Sequence, residues 1–559
     1  MNEFMIMKRI KLLLTTVLTF LVFGLNAQPE IEAQENADFE LLKNLELFEL
    51  VYKNVDLNYV DEPNPGALMK AAIDAMLYEL DPYTTYIPES KIEDFKLMST
   101  GQYGGIGAII RQNDNQVMVV DPHEGFPAQK AGLKAGDIFL EINGKSVEGL
   151  STSEVSEKLK GKPGTSLEVK VERDGGELVK TLTREEIKFS PVPYYGMVNE
   201  KVGYIKLGSF TQTAGADVLE AFKDLKGNQG MEQLIFDLRG NGGGLLIEAV
   251  KIVNMFIDKG TDVVSIKGRD PSVNQTYKAV LKPEDTKMPI VVLVDGGSAS
   301  ASEIVSGALQ DLDRAVVLGQ TSFGKGLVQR PLDLKYNAKV KVTIAKYYTP
   351  SGRCIQKLDY THRKTGSSAG EISDSLLHKF KTKNGREVID GRGVEPDVHI
   401  NEKEFAALTA NLVLNNIIFD YATKFEKENE AINDPRNFEI TDEIYSDFSN
   451  FVLQQDFEYQ TVSLELLKKV EEAAQDEASF EKVKEEYQAL MDKLKPSKSE
   501  DLQKYKTEII PLLSDEIIGR YYYQKGRIQH SLVKDEFILE SIEILNDLSR
   551  YNSILKIEN

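Results

Sequence analysis

Histidine is scarce in this 559-residue chain, and none lies near the most conspicuous serine-rich segment, Gly297 to Glu303. The histidines are His123, His362, His378, His399 and His530. A serine nucleophile in this segment would lack a histidine close in sequence to act as its base, unless the fold brings a distant one in. The arrangement favours Lys325, in the motif Phe323-Gly324-Lys325-Gly326, as the base.

Cysteine is also scarce, and basic residues are fewer than acidic ones. Cys354 is the only cysteine, which excludes an intrachain disulfide and argues against a cysteine-rich metal site. The chain has 67 Lys and Arg against 88 Asp and Glu, which gives a formal net charge of −21. Nucleic acids and anionic membrane surfaces select for clustered positive charge, so neither is an expected partner. We expect no metal and no cofactor.

The first 27 residues have the pattern of a secretory signal peptide. The basic run Met7-Lys8-Arg9-Ile10-Lys11 precedes an apolar stretch from Leu12 to Leu25, and cleavage after Ala27 fits the pattern. A stretch of 14 residues is short for a membrane span. We therefore predict export to the periplasm, with an uncleaved inner-membrane anchor facing the periplasm as the alternative.

The serine-rich segment follows an apolar, β-branched run from Pro289 to Val294, which is typical of a strand buried on both faces. A turn at Asp295-Gly296-Gly297 and helical spacing from Ala301 to Leu312 place the serines where a strand meets a helix N-terminus. Backbone N–H groups point outward at such a terminus. The spacing Ser300-x-x-Glu303 also fits a capping box, which involves no chemistry.

The lysine motif has a competing interpretation. The residues from Gly319 to Lys325 match a phosphate-binding loop until Gly326 replaces the hydroxyl residue that holds magnesium. Pro331 opposes the long helix that follows such a loop. Nucleotide binding is therefore the weaker interpretation.

A third motif joins these two. The run from Gln233 to Asp237 reads as another buried strand, and Arg239-Gly240-Asn241-Gly242-Gly243-Gly244 follows it with a backbone that can approach a ligand closely. In this order, the three motifs resemble the C-terminal processing peptidases, also called tail-specific proteases. The resemblance runs from about Leu41 to Val398. It includes three further segments: Asp81 to Tyr86, Tyr347 to Arg353 and Gly391 to Asp397.

The resemblance implies a role for each matching residue. Ser300 matches the nucleophile, Lys325 the general base and Gln329 the residue that orients the lysine. The oxyanion hole would consist of backbone amides, namely those of Ala301 and of Gly242 or Gly243. The implied fold is a multidomain α/β chain with a crotonase-like or ClpP-like core of βαβ units.

Such a lysine must be neutral to act as a base. A shift of its pKa from about 10.4 to about 7.5 corresponds to about 4 kcal/mol, most of which burial must supply. We expect Phe323 and Leu327 to form an apolar wall, with Gln329 as an uncharged partner. If this stretch is a strand, Lys325, Leu327 and Gln329 share one face.

Residues 98–189 resemble an inserted PDZ domain. The loop of Gly104, Gly105, Ile106 and Gly107 matches the one that presents amides to a peptide's terminal carboxylate, while the peptide adds to the domain as a strand. Asn143-Gly144 predicts a tight turn between strands. The competing interpretation is that these glycines only form turns.

The remaining segments complete the predicted domain order. Residues 28–97 form a helical region, 190–400 the protease core with a polar insert at 357–390, and 401–559 a helical C-terminal domain. The insert contains a predicted hairpin at Lys383 to Arg386. Apolar residues from Phe480 to Leu494 step at helical spacing up to Pro496, and we expect them to pack within the chain rather than in a coiled coil.

Taken together, these patterns predict an exported serine endopeptidase that recognises C-terminal tails and uses a Ser-Lys acyl-enzyme mechanism. Its expected partners are proteins or peptides with free C-terminal tails. A homodimer through the N-terminal helices and an adaptor protein bound to the C-terminal domain are further expectations. The alternative is a catalytically inactive, PDZ-bearing scaffold that binds tails.

Overall fold

The computed structural model describes residues 38–363, 366–401 and 404–557. The predicted signal segment, residues 1–27, lies outside the described residues. The chain divides into two compact units, Met1–Pro82 and Tyr83–Asn559. In the described ranges, no helix is both long enough and apolar enough to cross a bilayer.

The first unit contains two helices, in agreement with the predicted helical region before the inserted domain. They are α1 (residues 38–58) and α2 (Pro65–Tyr78). The break between them follows from local chemistry, because the Asn64 side chain accepts the Ala67 N–H at 3.0 Å and Pro65 occupies the first helical position. The Tyr52 hydroxyl donates to the Pro65 carbonyl at 2.8 Å.

The inserted domain is a small antiparallel β structure in the second unit, preceded by β1 (Thr85–Ile87) and α3 (Ile92–Thr100). Its elements are β2 (Gln102–Gly105), β3 (Ala108–Asn113), β4 (Gln116–Pro122), α4 (Pro127–Lys130), β5 (Ile138–Ile142), β6 (Lys145–Ser146), α5 (Thr152–Leu159), β7 (Ser166–Arg173), β8 (Gly176–Thr183) and β9 (Glu185–Lys188). The main sheet has the order β3-β4-β5-β7-β8, which leaves β3 at an edge. The predicted turn joins β5 to β6, with positive φ at Asn143 and Gly144. Strands β2 and β9 pair with each other, so the chain enters and leaves this domain side by side.

The core is built on a six-stranded sheet of order β10-β11-β12-β15-β16-β23, parallel from β11 onward. Its elements are β10 (Tyr194–Met197), β11 (Val202–Lys206), α6 (Ala214–Asn228), β12 (Gln233–Asp237), α7 (Leu246–Asn254), β13 (Asp262–Lys267), β14 (Gln275–Lys278), β15 (Ile290–Val294), α8 (Ala301–Asp311), β16 (Val316–Gly319), β17 (Leu327–Asp333), β18 (Lys339–Tyr348), β19 (Leu358–Asp359), β20 (Gly370–Glu371), β21 (Lys379–Lys381), β22 (Glu387–Ile389) and β23 (Val398–His399). The apolar runs predicted as buried strands are β12 and β15, two central strands of the sheet. Strands β1, β13, β14, β17 and β18 form a second sheet. The predicted hairpin in the insert is confirmed, since β21 pairs with β22.

The C-terminal region is helical, as predicted. Its elements are α9 (Ala407–Leu414), α10 (Ile417–Glu428), α11 (Asp442–Leu453), α12 (Val462–Asp476), α13 (Lys484–Leu494), α14 (Lys498–Lys504), α15 (Lys506–Lys534), α16 (Glu536–Asn546) and α17 (Leu548–Leu555). Side chains from α6, α7 and α8 cover one face of the six-stranded sheet, while α16, α17 and the end of α15 cover the other. The C-terminal helices are therefore one of the three layers of the core.

One helical prediction in this region is wrong in detail. Helix α13 begins only at Lys484, and Val483, Leu490 and Leu494 remain exposed. The predicted apolar face packs in part, through Tyr487, whose ring contacts Phe480 and whose hydroxyl donates to Glu471 of α12 at 2.8 Å. The apolar residues do recur at helical spacing, but the short hairpin of α12 and α13 has too little surface to bury all of them.

Candidate active site

Ser300 lies at the junction of β15 and α8, where the sequence placed it. Its backbone has φ 58° and ψ −111°, a strained conformation for a residue with a side chain. Such strain persists only where neighbouring groups enforce it, and it clusters at functional sites. The Ser300 amide is held by the Glu303 carboxylate at 2.7 Å.

Glu303 accepts more hydrogen bonds than a capping box requires. Its fully buried carboxylate accepts hydrogen bonds from the Ser300 amide, the Ser322 hydroxyl at 2.6 Å, the Gly324 amide at 2.7 Å and the Lys325 amide at 2.9 Å. Burial raises the pKa of Glu303, and its donors act in the opposite direction. Because one oxygen, Oε2, accepts both the Ser300 and the Lys325 amides, the backbones of these two residues lie side by side.

The buried Tyr347 hydroxyl reaches the same two backbones from their carbonyl side. It lies 3.0 Å from the Ser300 carbonyl oxygen and 2.6 Å from that of Lys325. A phenol has one proton, so it donates to one of these carbonyls at a time. Glu303 and Tyr347 together bind the amides and carbonyls of both residues.

The surroundings of Lys325 differ from the predicted ones. Leu327 is buried, but Phe323 is 46% exposed and does not form the expected wall. An aromatic face comes instead from Tyr83, whose ring centre lies 4.3 Å from the Lys325 Nζ. Tyr83 lies in the Asp81–Tyr86 segment, which carries no local signal for contact with Lys325 beyond the family resemblance.

The shared face of Lys325, Leu327 and Gln329 is predicted for a strand that contains all three residues, and Lys325 lies outside it. Strand β17 begins at Leu327, so only Leu327 and Gln329 have the same parity within it. The register shift opposite Val328 and Gln329 skips Ile344 of β18. The Gln329 Nε2 donates to the Thr343 hydroxyl at 3.2 Å. A strand rather than a helix follows the lysine, which removes the phosphate-loop interpretation.

The glycine loop after β12 lies directly against Ser300. An added Cβ on Gly243, where φ is 101°, would lie 2.8 Å from the Ser300 Cβ and 3.0 Å from the Ala301 nitrogen. The Gly243 amide donates to the Asn241 side chain at 2.9 Å. In the part of the chain that the structure describes, the amides of Gly242 and Ala301 have no acceptor. These two amides are available to an incoming oxyanion.

Side chains from β11, from β12, from the turn after β15 and from α8 hold this loop in place. The Ser302 hydroxyl donates to the Asn241 carbonyl at 2.8 Å, and the Gly240 amide donates to Asp295 at 2.9 Å. Buried Asp237 accepts hydrogen bonds from Arg239 and from the Tyr204 hydroxyl at 2.7 Å. Burial raises the pKa of Asp237, but Arg239 and then Lys206 outweigh this effect, so the net pKa lies well below the ordinary value.

The glycine loop of the inserted domain lies next to the free edge of β3. Its residues Gly104 and Gly105 belong to β2, and Ile106 and Gly107 connect β2 to β3. An added Cβ on Gly107 would lie 2.4 Å from Phe126, so only glycine fits there. An unpaired edge beside such a loop is the geometry to which a peptide adds as a strand.

Two histidines are engaged away from the catalytic loops. The His123 ring contacts Phe189 at 4.9 Å between centres, within the inserted domain. The His530 Nδ1 lies 2.8 Å from the Pro435 carbonyl, within the C-terminal region. Across the described ranges, no cluster of three or more His, Cys, Asp or Glu side chains is suited to holding a metal ion.

Three segments of the chain match known family models. Residues 201–362 match peptidase family S41, and residues 118–173 match a PDZ domain. Residues 408–545 match the C-terminal helical domain of probable PDZ-proteases. Along the chain, the matches run from the inserted domain through the core to the helical extension, in the predicted order.

The chain is also similar to curated proteins. A carboxy-terminal-processing protease of Bartonella bacilliformis is 37% identical over 331 residues, which cover 58% of this chain and 76% of that protein. A probable CtpA-like serine protease of Staphylococcus aureus is 36% identical over 382 residues, covering 67% of this chain and 68% of the relative. Among solved structures, a photosystem II D1 C-terminal processing protease is 29% identical with a TM-score of 0.36, covering 64% of this chain and 92% of that one.

Proposed function

The chain belongs to peptidase family S41, the family of the carboxy-terminal-processing serine proteases. We propose from this membership that it is an endopeptidase that selects substrates by their free C-terminal tails, and from the pattern of its first 27 residues that it is exported. The catalytic pair is Ser300 and Lys325. The observation that carries this assignment is the position of the Glu303 carboxylate. One of its two oxygens, Oε2, accepts the backbone amides of both Ser300 and Lys325.

The reaction follows an acyl-enzyme route. The Ser300 hydroxyl attacks the scissile carbonyl while the neutral Lys325 amine takes its proton. The amides of Ala301 and Gly242 stabilise the oxyanion. Collapse breaks the C–N bond, and the lysine returns the proton to the leaving amine. Water then attacks the ester, again with lysine as the base, and releases the acid product.

Gln329 orients the site in this proposal. Its side chain is uncharged and anchored to Thr343, so it can bind near the amine without stabilising the ammonium form. The PDZ domain holds the tail, with the carboxylate at Gly104 to Gly107 and the peptide strand along the edge of β3.

A pH–rate profile tests the base. Activity of the full chain on one peptide should rise with pH through a pKa below the ordinary lysine value of about 10.4. Lys325→Ala and Lys325→Arg should both abolish cleavage, since a guanidinium stays protonated. The exposed Lys335→Ala is the matched control and should retain activity. Substantial cleavage by folded Lys325→Ala would remove the Ser-Lys mechanism.

Amidation of the substrate tail tests recognition. Binding of the Ser300→Ala variant to a peptide amide should be weaker than to the free acid, because the loop amides lose a charged acceptor. Equal affinity for both forms would rule out the carboxylate site. Binding without cleavage by the wild type at any pH would identify a tail-binding scaffold instead.

Export predicts a mature N-terminus at Gln28, which mass spectrometry of the periplasmic fraction can detect.

A further inference from the structure

The ion pairs that support the glycine loop after β12 extend to a residue beyond 201–362, the segment that matches peptidase family S41. Arg239 immediately precedes the glycine run, and its guanidinium binds Asp237 through Nε and Nη2. Its remaining terminal nitrogen, Nη1, donates to Asp535 Oδ2 at 2.7 Å. Asp535 belongs to the C-terminal helical region, 296 residues away along the chain.

The ion pair of Arg239 and Asp535 is substantially shielded from solvent. Both side chains are only 17% exposed, and the guanidinium also lies 4.9 Å from the centre of the Phe537 ring. Without Asp535, the local set of Asp237, Lys206 and Arg239 carries a net charge of +1. Asp535 makes the net charge of this set zero. An unbalanced charge is costly at a site shielded from solvent, because water screens it only weakly there.

Asp535 is itself rigidly placed. Its backbone N–H donates to the Ser531 carbonyl at the end of α15, and its Oδ1 caps α16 by accepting the Phe537 N–H at 2.8 Å. Helix α16 packs on the catalytic sheet through Ile538 and Leu545. The carboxylate that meets Arg239 is therefore anchored to the sheet that carries the active site.

Arg239 in turn connects to the loop through its backbone. Its N–H donates to Asp237 Oδ1 at 2.9 Å, and its carbonyl accepts the Lys206 Nζ at 2.7 Å. The next residue, Gly240, is fixed by Asp295. A displacement of Arg239 would therefore move the start of the glycine run that faces Ser300.

We propose that Asp535 is a positioning residue of the active site, supplied by the C-terminal helical region, which holds Arg239 so that the glycine loop presents its amide beside Ser300. This inference rests on the proposed oxyanion role of the loop. It makes the helical region part of the support of the active site, because Asp535 lies outside residues 201–362, which match peptidase family S41.

The two functions of the Asp535 carboxylate can be separated by substitution. Asp535→Asn keeps an oxygen for the α16 cap, since Asn is a good N-cap residue, but presents an uncharged group to Arg239. Asp535→Ser also keeps a cap and is too short to reach the guanidinium. Glu543→Gln removes a charge from the exposed side of the same helix and is the matched control.

The full chain is examined by two independent measurements. The first is the kcat and KM for a short amidated peptide, which bypasses tail recognition. The second is hydrogen exchange of residues 238–245, which does not require activity. Thermal unfolding of each variant confirms that it is folded.

We expect Asp535→Asn to lower kcat by about tenfold to a hundredfold with little change in KM, as for other supporting residues of a catalytic site. Exchange in residues 238–245 should become faster, and Glu543→Gln should change neither measurement. In an Arg239→Gln background, Asp535→Asn should have no further effect, because its action passes through Arg239.

Unchanged kcat and unchanged exchange in folded Asp535→Asn would overturn the inference. An equal additional loss of kcat in the Arg239→Gln background would overturn it as well. If Asp535→Asn fails to fold, Asp535→Ser decides by the same criteria. If the wild type cleaves nothing, the proposed function fails, and faster loop exchange in Asp535→Asn still supports the positioning contact.

Discussion

Around Ser300, individual ionisable side chains organise several backbone groups at once. Glu303 is the clearest case, because one buried carboxylate accepts three backbone amides and a hydroxyl. A buried carboxylate with this many donors is fixed in place, so it positions other groups rather than transferring protons. Tyr347 has the corresponding role at the carbonyls of Ser300 and Lys325.

Glu303→Gln should therefore damage both stability and catalysis. The glutamine amide would direct an NH2 donor at groups that are themselves donors, leaving buried N–H groups without an acceptor. We expect the free energy of unfolding to fall by about 2 to 4 kcal/mol and kcat to fall by at least about tenfold. Urea unfolding and peptide cleavage measure the two effects.

Ser322→Ala is the matched control for that substitution. It removes one donor to Glu303 and the acceptor of the Val394 amide, and it leaves the three amides bound to Glu303. Its cost should be smaller, at about 1 to 2 kcal/mol, because one buried amide rather than three loses its acceptor. Full activity and stability of Glu303→Gln would show that the carboxylate is only a helix cap.

At the scale of elements, the active site is a meeting of three loops that follow β12, β15 and β16. Each of these parallel strands ends at the same edge of the sheet, so the glycine loop, the serine turn and the lysine loop converge there. Close approach of the first two loops depends on the absence of a side chain at Gly243.

Gly243→Ala should abolish cleavage while the fold is retained. The added methyl group would meet the Ser300 Cβ and the Ala299 carbonyl at 2.8 Å each, which forces the loop and the serine apart. Gly240→Ala is the control. It also has positive φ, at 68°, but an added Cβ there meets nothing within 4 Å, so it should cost only about 1 kcal/mol of stability.

Steady-state cleavage and circular dichroism of both variants make the comparison. Retained activity in Gly243→Ala, with an unchanged spectrum, would contradict the close packing of the two loops. Loss of activity in Gly240→Ala but not in Gly243→Ala would show that cleavage depends on the conformation at Gly240 rather than on the close approach at Gly243.

At the scale of the whole molecule, the C-terminal region is structurally continuous with the catalytic core. Buried residues of α16 and α17 cover one face of the six-stranded sheet, and the Tyr551 hydroxyl bonds to Ile290 at the start of β15. The same region contacts the PDZ domain, where Phe419 packs on Met118 and Lys134 pairs with Glu426 at 2.7 Å. Both the six-stranded sheet and the PDZ domain pack against this region.

Leu545→Asp tests that dependence. Leu545 is fully buried against the sheet, so an unpaired charge there should lower the free energy of unfolding by more than about 3 kcal/mol. Leu548→Asp, at a site 49% exposed, should change it by less than about 0.5 kcal/mol. Equal stability of the two variants in urea would show that the helices are an independent appendage.

The sequence alone determined the local features of this protein. Unbroken apolar runs predicted β12 and β15, helical spacing predicted α8, and Asn143-Gly144 predicted its turn, because each signal depends on neighbouring residues and the geometry of one element. The order of the motifs also indicated the family, which the comparisons confirm.

Only the tertiary structure decided which side chains meet at the site. Tyr83 rather than Phe323 faces Lys325, β17 begins only after Lys325, and Asp535 reaches Arg239 across 296 residues. Periods of 3.6 and 2 residues specify which face of an element is apolar, but not which distant element covers it. That choice depends on packing summed over the whole chain, so contacts between remote segments could not be derived from local patterns.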